Sequence, residues 1–128
     1  MNDNKTVLIL IVEDEKPLRE ALKTKLRSEG FDVMEAANGE EGLEIINSKK
    51  PDLVLLDLMM PGIPGEQVLK EMNDSGLIKE IPVIVLSVKG NDTTIRNCID
   101  QLGAVDYMSK SDYSLKEIVE KINKLLKI

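Results

Sequence analysis

Histidine is absent from the 128 residues. That excludes a histidine general base, a histidine phospho-carrier and any imidazole metal ligand within the chain. Cys98 is the single cysteine, so no internal disulfide can form and a reducing, cytoplasmic setting is expected. No apolar run approaches the ~20 residues of a membrane span, and Met1 to Thr6 is polar rather than signal-like, so no membrane insertion is expected. Positive charge is also short: 17 Lys and Arg against 23 Asp and Glu leave a net charge of -6. A nucleic-acid surface needs clustered cations, and none is expected through this chain. Repeats, low-complexity stretches and linkers are missing too, and the length suits one compact domain over 1–128.

What the chain does have is a series of short apolar runs, each stopping at a polar residue. The run 7–12 meets Glu13-Asp14, 53–56 meets Asp57, and 83–86 meets Ser87. These three are continuously apolar, as strands covered on both faces are. The runs 31–36 and 104–108 carry charges, which suits edge strands; the second ends two residues before Lys110. Helical patterns lie between them. Leu18, Ala21, Leu22, Lys25 and Leu26 make the first, closed by Gly30. Gly42, Leu43 and Ile46 mark a second, and Val68, Leu69 and Met72 a third. Ile95, Cys98, Ile99 and Leu102 make a fourth, and Leu115 to Leu126 a fifth. Five βα repeats predict an α/β fold with a doubly wound, five-stranded parallel sheet in the flavodoxin-like order 2-1-3-4-5. Right-handed crossovers put the first and fifth helices on one face and the other three on the opposite face.

In that order the first and third strands are neighbours, so Glu13, Asp14 and Asp57 crowd at the carboxyl edge, where open α/β sheets bind ligands. Two unit charges ~5 Å apart repel by about 3 kcal/mol at an effective dielectric near 20. Lys110 offsets one charge of three. The site should therefore hold a proton or recruit a cation, and hard oxygen donors without Cys or His favour Mg²⁺. Beside such a metal a carboxylate can act as a nucleophile towards phosphorus.

The segments Val12-Glu13-Asp14-Glu15, Asp57-Leu58-Met59-Met60-Pro61-Gly62, Leu86-Ser87 and Gly103 to Lys110 together resemble the receiver domain of two-component response regulators. The resemblance spans about the whole chain. It implies that Asp57 accepts a phosphoryl group from a histidine kinase or phosphotransfer protein. Asp14 and Asp57 would ligate Mg²⁺, Glu13 through water, and Met59 through its backbone carbonyl. Lys110 would pair with Asp57 and then with the phosphoryl group. Ser87 and Tyr107 would switch, repacking the surface of the fourth helix, fifth strand and fifth helix for a downstream output protein or domain. Met59 and Lys89 occupy the positions that modulate hydrolysis rate. Only self-phosphorylation and self-dephosphorylation are implied, not turnover of an outside substrate.

The chain departs from the family pattern where Ser111 follows Lys110 in place of proline, which leaves either a trans bond with the lysine repositioned or a cis bond held by its surroundings. The fifth helix lacks the arginines, and position 105 the acid, of the dimerising DNA-binding members. Taken singly, the site residues have plainer uses. Asp14 could cap a helix, Asp57 open a turn, Ser87 bond to loop backbone and Lys110 stay solvated. Met59 and Met60 could fill gaps under a loop, and Cys98 sits on an apolar stripe. Two other functions compete: a receiver-shaped module that binds without phosphorylation, and a Mg²⁺-dependent aspartyl phosphatase. The latter is expected to carry Asp-x-Asp after the first strand, where this chain has Glu13-Asp14-Glu15.

Overall fold

The computed structural model describes residues 6–88 and 91–128. Five parallel strands form one sheet: β1 (Leu8–Val12), β2 (Asp32–Ala36), β3 (Leu53–Leu56), β4 (Val83–Ser87) and β5 (Asp106–Ser109). Their order is β2-β1-β3-β4-β5, the flavodoxin-like arrangement expected from the pattern of runs. Every residue of β3 and β4 is buried, which explains their unbroken apolar runs. The charged residues Asp32, Glu35 and Asp106 fall on the two edge strands. Register is set in the centre, where Val12 lies beside Leu56 and Leu56 beside Val85.

The helices are α1 (Lys16–Ser28), α2 (Gly39–Lys49), α3 (Gly65–Ser75), α4 (Asp92–Arg96) and α5 (Leu115–Leu126). Leu22 and Leu26 of α1 and Ile118, Val119 and Ile122 of α5 pack on one face of the sheet, against Ile9, Ile11, Leu53 and Leu55. Ile46 of α2 and Val68, Leu69 and Met72 of α3 cover the other face with Cys98. Local chemistry fixes several ends. Asn38 accepts from the Glu41 amide at 2.9 Å and Asn91 from the Thr94 amide at 2.8 Å, while Ser114 and Glu117 form a capping box. Gly30 closes α1 at φ +96°, a left-handed conformation that suits glycine.

Two expectations need correction. The regular helix read over 95–102 is instead the short α4 followed by a π-helical segment, Asn97–Gln101, in which the Leu102 amide donates to the Asn97 carbonyl at 2.9 Å. The wider turn leaves Cys98 fully buried and Ile95, Ile99 and Leu102 half-buried. The fifth strand starts at Asp106 rather than 104: the Ala104 amide is taken by the Cys98 carbonyl at 2.9 Å, and the first bond to β4 runs from the Val105 amide to the Val83 carbonyl at 2.9 Å. Among the described residues no helix is long and apolar enough to cross a membrane.

Candidate functional site

Asp57 directly follows β3, and its amide donates to the Val12 carbonyl of β1 at 3.0 Å. That bond brings the two strand ends together. Glu13, directly after β1, is tied to β2 through the Ala36 carbonyl, also at 3.0 Å. One carboxylate oxygen from each of Glu13, Asp14 and Asp57 lies within 4.8 Å of the others. Glu13 and Asp57 are buried, and Asp14 is half-buried. Behind them, Gly65 opens α3 so close to the Asp57 loop that a Cβ there would run into the Asp57 carbonyl. A glycine is what lets α3 begin at that point.

Each Asp57 oxygen has a partner. Oδ1 accepts from the Met59 amide at 3.2 Å and from Ser87 Oγ at 3.2 Å, and Oδ2 faces Lys110 Nζ at 3.3 Å. Lys110 is brought in by β5, its amide bonding to the Ser87 carbonyl at 2.7 Å. The Lys110–Ser111 peptide is trans, as no described bond is cis, and the ammonium still enters the acidic cluster. It touches Glu13 Oε1 at 3.0 Å and Glu15 Oε1 at 2.9 Å, both nearer than Asp57. Three carboxylates therefore share one ammonium.

The charge balance shows in the titration of these groups. Burial pushes Glu13 up to about 7, against bonds from Lys110 and the Glu15 amide, with Asp57 adding repulsion. Burial works against the Lys110 ammonium, but the bonds to Glu15 and Glu13 and the Asp57 charge outweigh it and raise its pKa. The lysine is a fixed cation, and the carboxylates retain an excess of negative charge. A cluster of hard oxygen donors with unbalanced negative charge fits a divalent ion such as Mg²⁺.

Several plainer uses fail. Asp14 does not cap α1: Glu15 holds the N-cap position, and no side chain caps it. Ser87 bonds to a side chain rather than to loop backbone. Lys110 is only 14% exposed, not solvated. Met59 is 68% exposed, so it fills no gap, whereas Met60 packs against the core. Two plainer readings hold: Asp57 does open a turn through the Met59 amide, and Cys98 is core.

Tyr107 is half-buried, packs against the core and donates to the Val88 carbonyl at 3.1 Å, and burial raises its hydroxyl pKa. It lines a cleft of about 320 Å³ together with Leu58, Met59, Ser87 and Thr94. Lys89 lies outside the described residues. Glu15 is the site residue to which the sequence reading gave no role. Its one signal was adjacency to Glu13-Asp14, because its partner Lys110 is 95 residues away.

Comparison with known proteins agrees with this geometry. The family model described as response regulator receiver domain matches residues 9–123. The phosphate regulon transcriptional regulatory protein PhoB of Pseudomonas aeruginosa is 37% identical over 120 residues, covering 93% of this chain and 51% of that protein. The chain thus spans about half the length of that relative. A Francisella response regulator receiver domain superposes with a TM-score of 0.87 at 30% identity, over 95% of this chain and 98% of that one. A two-component response regulator from Clostridium difficile gives 0.86 at 25% identity, over 95% and 97%. The chain belongs to the response regulator receiver domain family of two-component systems.

Proposed function

We propose that this receiver domain is a phosphorylation switch with Asp57 as phosphoacceptor. One observation carries the reading: at a single sheet edge, Asp57 has two carboxylates within 4.8 Å, an ammonium at 3.3 Å and a hydroxyl at 3.2 Å. An Asp57 oxygen attacks phosphorus, the P–N bond of a phosphohistidine donor breaks, and the imidazole leaves as an acyl phosphate forms. Glu13, Asp14, Asp57 and the Met59 carbonyl would hold Mg²⁺, which supplies positive charge against the phosphoryl oxygens.

Lys110 turns from Glu15 and Glu13 towards the new dianion. Leaving Glu15 costs little, since that carboxylate is 60% exposed and water replaces the bond. Ser87, which already donates to Asp57, follows a phosphoryl oxygen. Tyr107, which already lines the cleft beside Ser87, repacks there, and the surface of α4, β5 and α5 changes with it. The donor is a histidine kinase or phosphotransfer protein, and that surface addresses an output protein or domain. PhoB, by its name a transcriptional regulator, is consistent with an output that acts on transcription. Met59 and Lys89 tune the hydrolysis rate.

Intact-mass measurement after incubation with acetyl phosphate tests the reading. One added phosphoryl mass is expected with Mg²⁺, and none with EDTA or in Asp57→Asn. No addition to the Mg²⁺ sample would favour a phosphate-independent binding module.

A further inference from the structure

The loop that carries Glu13 and Asp14 leads into α1 without a side-chain cap. One side chain returns to it. Arg19, in the second turn of α1, directs Nη1 back onto the Glu13 carbonyl at 2.8 Å, with the Asp14 carbonyl at 3.5 Å. Its Nε donates to Glu35 Oε1 on β2 at 3.3 Å, and Lys23 Nζ holds the other Glu35 oxygen at 3.1 Å. The Arg19 side chain is only 15% exposed. The guanidinium thus ties the acidic loop to β2 and α1 at once. A planar fork with several donors serves this purpose better than a single ammonium.

Two effects of Arg19 on a cation site oppose each other. As a fixed positive charge near three carboxylates, it disfavours a second cation. Its contacts, however, are to backbone carbonyls of the loop, where it holds the two acids converged on Asp57 without neutralising them. We infer that the second effect dominates, so that Arg19 is a positioning residue for the divalent-cation site and Glu35 is its anchor. The inference rests on the Mg²⁺ reading above.

The test is a ¹H–¹⁵N NMR titration with MgCl₂ of the whole chain, comparing wild type with Arg19→Met, Arg19→Lys and Glu35→Gln. Supporting groups around metal ligands typically matter by about 10–100-fold in affinity. Arg19→Met and Arg19→Lys should each bind Mg²⁺ at least ~10-fold more weakly, with a smaller loss in Glu35→Gln. Charge alone predicts the reverse for Arg19→Met, tighter binding, and no change for Arg19→Lys. Either result would overturn the inference while leaving the metal reading intact. So would a lower unfolding midpoint with unchanged affinity, the mark of a purely structural role. Absence of Mg²⁺ binding by wild type would overturn the metal reading and this inference with it. Should Arg19→Met fail to fold, the lysine and Glu35 variants carry the same comparison.

Discussion

Replacing Asp57 with asparagine should stabilise the metal-free protein, although it removes an ion pair. Asp57 Oδ2 is 3.3 Å from Lys110 Nζ, an attraction of about 5 kcal/mol at an effective dielectric of 20. Against this, the Glu13 and Asp14 oxygens lie within 4.8 Å, and each ionised neighbour repels Asp57 by about 3.5 kcal/mol or more. Two such repulsions, roughly 7 kcal/mol, exceed the attraction, and water around half-buried Asp14 trims the excess. The expected gain for Asp57→Asn is about 1–2 kcal/mol at pH 8 in EDTA. At pH 6 Glu13, pushed up to about 7, is mostly protonated. One repulsion is then lost, the attraction to Lys110 exceeds the one that remains, and the substitution should instead cost about 1–2 kcal/mol. Saturating Mg²⁺ at pH 8 should reverse the order, adding about 2.7 kcal/mol to the wild type at 100-fold excess over Kd and little to the variant. Urea unfolding followed by far-UV circular dichroism measures all of these. An Asp57→Asn protein less stable than wild type at pH 8 without metal would refute the electrostatic argument.

The wild type itself should titrate. Because the folded state holds the Glu13 proton up to about 7 against an ordinary 4.5, the native protein binds that proton more tightly than the unfolded chain. Metal-free stability should therefore fall as pH rises from 4.5 to 7, by on the order of 3 kcal/mol, in urea midpoints taken across that window. The Cys98 thiol is fully buried, and burial first, then Glu66, pushes it up to about 11. It should resist a disulfide-exchange reagent in the native protein and react promptly in denaturant. Ser114→Ala removes half of the α5 capping box and should cost about 1 kcal/mol in the same unfolding assay.

The central strands and their order were legible because burial on both faces forces continuous apolar runs, and βα alternation leaves few topologies. The carboxyl-edge cluster followed from the order, since β1 and β3 are hydrogen-bonded neighbours. The shape of α4 was not legible. Its apolar positions fit a regular helix, but Asn97 reaches Glu66 on α3 at 3.4 Å and the turn widens at that residue. Taken singly Asp14 also suited a cap, because helix-start chemistry is local, whereas its place is set by the pairing of Glu13 with Ala36 on another strand. The grip of Glu15 on Lys110 and of Arg19 on the Glu13 carbonyl depends on side chains folding back across loops. Neither has a periodicity to reveal it. Ser111 cast doubt on the aim of Lys110, yet the backbone bond to Ser87 and the pull of two glutamates bring the ammonium to Asp57 through a trans peptide.

The most direct test of the central claim is to locate the phosphoryl group by borohydride trapping. An acyl phosphate on aspartate is reduced to homoserine, which peptide mass spectrometry assigns to one position. After treatment with acetyl phosphate and Mg²⁺, homoserine should replace Asp57 alone, and EDTA should abolish it. Homoserine at Asp14 or elsewhere, or none despite an added phosphoryl mass, would contradict the assignment of Asp57 as acceptor.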